Sequence, residues 1–135
     1  MEQKDWDDLQ ELMGQPYGSM KLQCDQFTVS LVQHAQPLSR KWVTYVYVDG
    51  YSRGEWCLAD ENGEPKHEVA RRFLRKSSKA FFSTKEIDAH RKIFGKRQAA
   101  ELAAKRHVWF HSDWTNFKSL KKHLIANNSS IQRIE

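Results

Sequence analysis

The first apolar pattern in the chain is helical. Trp6, Leu9, Leu12 and Met13 recur on one side of a helical period, with Asp5 placed as N-cap and Asp8 in the first turn, until Gly14 interrupts it. After a loop over 14–19 the period changes to alternation. Leu22 and Cys24 share one parity, and Phe27, Val29 and Leu31 share the other. The switch at Asp25-Gln26 predicts a bulge or a break between two short strands, and Pro37 closes the segment. Trp42 to Val48 is rich in β-branched and aromatic residues, Asp49-Gly50 follows at once, and Tyr51 to Leu58 resumes the strand pattern. An Asp-Gly pair between two such runs predicts a type I′ hairpin, because both central residues of that turn need positive φ. Residues 60–65, Asp-Glu-Asn-Gly-Glu-Pro, read as an exposed loop.

The second half follows a helical pattern. Pro65 is placed in the first turn of a helix running to about Phe82. Ser83 with Glu86 three residues on predicts a capping box that opens a second helix, which Gly95 breaks near Phe94. The Ala-rich stretch from Lys96 to Arg106 resumes helix, and His107 to His111 predicts a short strand. Thr115 or Asn116 caps a last helix to about Ala126, and Ser130 to Ile134 forms a terminal strand. The expected fold is α+β in a single domain over 1–135. A short N-terminal helix and an antiparallel meander of at least three strands pack with three to four C-terminal helices.

The helix expected from Pro65 to Phe82 changes the picture most. On a helical wheel Arg71, Arg72, Arg75, Lys76 and Lys79 share one arc, while Val69, Ala70, Phe73, Leu74, Ala80 and Phe81 fall opposite. Such cations repel one another at i,i+4 by a few tenths of a kcal/mol per pair. Glu68 is the nearby carboxylate placed to offset this, by pairing with Arg72 or Arg71. A stripe that disfavours its own helix is explained if it serves an anionic partner. From Arg71 to Lys79 it would run for about 12 Å, enough to follow two or three phosphates. Arg91, Lys92, Lys96 and Arg97, with Lys85, Lys105 and Arg106, extend the basic surface if the helices lie side by side. The competing readings are a solvated helical face and docking on an acidic protein.

Charge strengthens that expectation. The chain has 135 residues and a formal net charge of +5. Met1 to Glu64 holds five Lys and Arg against eleven Asp and Glu, whereas Pro65 to Glu135 holds seventeen against six. A mostly β acidic half and a mostly α basic half suggest a polyanion for the basic part. There is no apolar run long enough for a bilayer, and the acidic, polar N-terminus does not read as a secretion signal, so no membrane partner is expected.

Catalytic and metal chemistry find little support. Cys24 and Cys57 make no disulfide framework. With His107 and His111 they would form a zinc site only if distant parts converged. Glu55, Asp60, Glu64, His67, His90 and His123 form no recognised hydrolytic constellation, and the glycines are too scattered to cradle phosphate. No catalytic residue, metal or cofactor is therefore expected, and the chain reads as non-enzymatic, with a small nuclease as the enzymatic alternative that a metal-dependent cleavage assay would detect. Trp42, Tyr45, Tyr47, Tyr51 and Trp56 cluster on the expected hairpin, where one face is core and the other is either covered or a platform for unpaired bases. Trp109, Trp114, Phe117, Leu120 and Leu124 are expected in the core.

Four stretches resemble small basic proteins of bacteriophages and prophages. They are Val43 to Trp56, Arg72-Phe73-Leu74-Arg75-Lys76-Ser77, Phe94-Gly95-Lys96, and Trp114 to Asn128. The resemblance, in order over about two-thirds of the chain, implies the cytoplasm of a bacterial host. It carries over no catalytic residue. Two functions are expected from the whole: a nucleic-acid-binding accessory protein acting through the basic helical face, or an inhibitor of a host defence nuclease, of anti-CRISPR or anti-restriction type, that binds a host protein or nucleoprotein complex.

Overall fold

The computed structural model describes residues 1–36 and 41–135. Helix α1 (Gln3–Met13) starts a turn earlier than its apolar spacing suggests. Glu2 is the N-cap, and Asp5 stands at the third helical position, where the two side chains close a reciprocal capping box. Trp6 and Leu9 are its buried residues.

Strands β1 (Ser19–Cys24) and β2 (Phe27–Ala35) pair antiparallel, with Cys24 opposite Phe27. The parity change at Asp25-Gln26 is thus a tight turn between two strands, and Asp25 enters the left-handed region at φ 51° to make it. Pro37, expected to close β2, lies outside the described residues. Strand β3 (Trp42–Val48) pairs with β2 from Ala35↔Trp42 to Val29↔Val48, which completes the meander.

Asp49 and Gly50 take φ values of 52° and 83°, as a type I′ turn requires. The strand expected after it does not form. Tyr51 makes one bridge back to Val48, and the chain then leaves the sheet through a 3-10 turn over Gly54–Cys57. Ser52, Arg53, Gly54 and Glu55 offer no apolar face to bury there.

Helix α2 (Glu68–Phe73) is short, and β4 (Arg75–Ala80) follows it. Helices α3 (Thr84–Phe94) and α4 (Lys96–Ala104) come next, then β5 (Arg106–His111), β6 (Asp113–Trp114), α5 (Phe117–Asn127) and β7 (Ile131–Arg133). The helix expected to reach Phe82 is therefore overturned. As expected, Ser83 caps α3 by accepting from the Glu86 N–H at 3.2 Å, and Asn116 caps α5 through Ser119 N–H at 3.0 Å.

The main sheet has five strands in the order β6-β3-β2-β1-β7, and β4 with β5 forms a separate two-stranded ribbon. One face of the main sheet carries Leu22, Cys24, Val29, Leu31, Val46 and Val48. Trp6 and Leu9 from α1, Phe73 from α2, and Leu120 and Leu124 from α5 join the same cluster. Burying these side chains, at about 1.5–3 kcal/mol each, is the main term holding the helices to the sheet. A smaller cluster of Ala70, Leu74 and Phe110 fastens the ribbon to α2. No helix among the described residues is long and apolar enough to cross a membrane.

Candidate nucleic-acid interface

The expected basic helical face does not exist as one surface. α2 makes its last helical bond from Leu74 N–H to Ala70 O, and Leu74 then turns extended at ψ 150°. Beyond it the side chains alternate across a strand, so Arg75 and Lys79 point to one side and Lys76 to the other.

Three of the five cations of that stripe are held by the protein's own acceptors. Arg71 and Arg72 both bond the Glu68 carboxylate. Arg72 also donates to Asp25 at 2.7 Å and lies 5.4 Å from the Phe27 ring centroid. Arg75 donates to the Asp113 carbonyl at 3.0 Å and faces its carboxylate at 3.5 Å. These contacts have electrostatic consequences. Hydrogen bonds from Arg71 and then Arg72 pull the Glu68 carboxyl down from an ordinary 4.5 to about 2. The Ser129 N–H bond first, then those from Arg72 and Ser130 N–H, likewise lower Asp25 and outweigh the opposing effect of burial, which ranks second. Burial, followed by the Arg75 charge, pushes His111 below its ordinary value, and Asp113 opposes the shift.

The other expected cations stand differently. Lys76 and Lys79 on the ribbon and Lys92 and Lys96 on the helical pair are exposed, with no carboxylate within ion-pair distance among the described residues. Arg91 pairs with Asp88 at 2.9 Å, while Arg97 reaches Glu101 only at 3.9 Å with its side chain 95% exposed. Arg91 and Lys92 stand in the last turn of α3 and Lys96 and Arg97 in the first turn of α4, on either side of Gly95, whereas Arg71 and Arg72 belong to α2.

α3 and α4 are inserted between the two strands of the ribbon and pack chiefly against each other. Ile87 and Ala99 are their buried residues. Gly95 joins them at φ 92°, ψ 173°, a conformation open essentially to glycine alone. This arm, residues 79–106, contains eight Lys and Arg against three Asp and Glu. Its net +5 equals that of the whole chain, so the remaining residues sum to neutrality. The charge asymmetry between the two halves is real, but in space it concentrates on the arm.

The aromatic groups also redistribute. On the main sheet Tyr45 and Tyr47 are half-buried against His34, and Trp56 packs on both core clusters. Trp42 and Tyr51 are 38% and 57% exposed. The expected core placement holds for Trp114, Leu120 and Leu124. Trp109 is only half-buried, on the ribbon face it shares with Ser77 and, one register step on, with Lys79 and His107. Phe81 and His107 at the ribbon's end are exposed and have ring centroids 3.6 Å apart. The sequence reading missed this pair. The alternation of Arg75, Ser77, Lys79 and Phe81 was its signal, hidden by an equally good helical period.

Cys24 is buried in the core and its thiol is pushed up to about 12, chiefly by burial. Among the described residues no three His, Cys, Asp or Glu side chains converge on a metal position. Comparison with protein-family models, with curated proteins and with solved structures finds no match.

Proposed function

We propose that this chain is a non-enzymatic accessory protein, of the phage kind its motifs resemble, that binds nucleic acid through the basic α3–α4 arm and the ribbon carrying it. The observation behind this reading is the placement of charge. The arm holds the chain's entire net +5, and four of its lysines are placed as follows: Lys79 on the ribbon, Lys85 and Lys92 on α3, Lys96 on α4. Cations free of internal carboxylates keep counterions that a polyphosphate releases, which is what drives such binding. Arg72 and Arg75 serve the fold instead, by tying α2 to Asp25 and β4 to Asp113, and Arg71 is paired with Glu68 within α2.

Fluorescence anisotropy with labelled DNA and RNA over a salt series tests the reading. Binding should weaken steeply as salt rises, and the double variant Lys92→Glu, Lys96→Glu should lose about tenfold or more in affinity. Absence of binding at low salt would overturn it.

A second reading, the inhibitor of a host defence nuclease, draws on one feature of the same arm: Ile93 and Phe94 are 74% and 55% exposed. A host protein retained in stoichiometric amount after nuclease treatment of a lysate would favour it over nucleic-acid binding.

A further inference from the structure

We infer that the ribbon end takes unpaired bases, so that the preferred ligand is single-stranded nucleic acid. This rests on the reading that the arm contacts a phosphate backbone, and it names which form of that polymer fits.

The Phe81 and His107 rings lie 3.6 Å apart, tilted by 33°. Phe81 is 49% exposed, so the pair leaves ring surface open on the solvent side. Base stacking on such a surface is sequence-tolerant, because every base has a π-face. Backbone pairing fixes the rings: Phe81 N–H donates to Lys105 O at 3.2 Å, and Lys79 stands opposite His107. Cations therefore flank the pair along the strand direction, with Lys79 on one side and Lys105 on the other, while Arg106 turns to the opposite ribbon face and donates to Ser78 Oγ at 3.3 Å.

Beside Phe81 opens a cleft of about 450 Å³, bounded by Lys105, Arg106, Val108 and the loop over Glu61–Gly63. Asp60 Oδ1 orders the loop by accepting from the Asn62 and Glu64 N–H groups at 2.8 and 2.9 Å. The Asn62 amide offers donors and an acceptor to a base edge. Glu61 repels phosphate on the loop side, so the backbone is placed along Lys105 and the base toward Phe81 and Asn62. Bases in a duplex are stacked on one another and do not present their faces to rings on a ribbon.

Three probes matched in phosphate number test the inference by anisotropy: a single-stranded oligonucleotide, a duplex of half its length, and an abasic deoxyribose-phosphate strand. The single strand should bind about tenfold or more tighter than the abasic strand. Phe81→Ala should abolish that preference while leaving abasic binding unchanged, and Phe81→Tyr should keep it. Circular dichroism of each variant shows that the fold is retained. Equal affinity for single and abasic strands overturns the stacking site yet leaves the arm as a polyanion-binding element. Tighter binding of duplex than of single strand also overturns it. Failure of all three probes to bind at low salt overturns both this inference and the reading beneath it.

Discussion

The indole Nε1 of Trp114 donates to the carbonyl oxygen of Phe73 over 3.0 Å, inside the core and across 41 positions of chain. In a continuing α-helix that oxygen would accept from the N–H of Ser77. Ser77 lies instead in β4, opposite Trp109 of β5. The bond thus joins the end of α2 to β6, next to where the ribbon begins. Trp114→Phe should leave the Phe73 oxygen buried and unpaired, and destabilise the protein by roughly 1–3 kcal/mol in urea unfolding. A loss of no more than a few tenths of a kcal/mol would mean that the oxygen finds another donor.

Acid should loosen the attachment of α2. Both Asp25 and Glu68 have pKa values lowered in the folded state, Asp25 chiefly by the Ser129 N–H and Glu68 chiefly by Arg71. A depressed carboxyl contributes stability that is fully present above its unfolded pKa and is lost as pH falls through its folded one. For Glu68 that window runs from 4.5 down to about 2. The thermal midpoint should fall across this range, and Asp25→Asn should flatten part of the fall. An unchanged profile in Asp25→Asn would show that its contacts with Arg72, Ser129 and Ser130 do not stabilise the fold.

Gly95 should be intolerant of any side chain. No atom lies within 4 Å of a Cβ built there, so the whole penalty comes from its φ of +92°. Gly95→Ala should cost roughly 1–3 kcal/mol, or shift the α3–α4 angle to avoid that cost. Hydrogen exchange confined to residues 84–104 would register either outcome. Native exchange rates with unchanged stability would show that the junction has another low-energy form.

The two thiols should separate in reactivity. Cys24 is buried with its pKa at about 12, whereas Cys57 is half-buried and its thiol is raised first by burial and then by the Asp113 charge. Alkylation under native conditions, followed by peptide mapping, should label Cys57 slowly and Cys24 only on unfolding. Equal labelling of the two would mean that β1 opens readily.

Strong local signals were legible in the sequence. The Asp49-Gly50 turn, the Ser83 cap, the break at Gly95 and the Asn116 cap all rest on chemistry within four residues, and each forms as expected. The departures come from long-range partners. Residues after Tyr51 lose the place beside β3 to Trp114, which brings an apolar ring that Ser52-Arg53-Gly54 lacks. Residues 75–80 satisfy helical and strand periods alike, and pairing with β5 decides between them. For the candidate interface, the sequence showed which residue types carry the charge. It did not show that Asp25 and Asp113, distant in the chain, would take up Arg72 and Arg75.

The arm's role is tested most directly by the salt slope of binding, log K against log salt, in two triple variants. One neutralises the arm with Lys79→Gln, Lys92→Gln and Lys96→Gln. The other neutralises the body with Arg71→Gln and, at two exposed positions of α5, Lys118→Gln and Lys122→Gln. Each lost phosphate contact should reduce the slope by about one, so the arm variant should lose about three while the body variant keeps the wild-type slope. A slope that falls in the body variant and holds in the arm variant would contradict the placement of the interface on the arm.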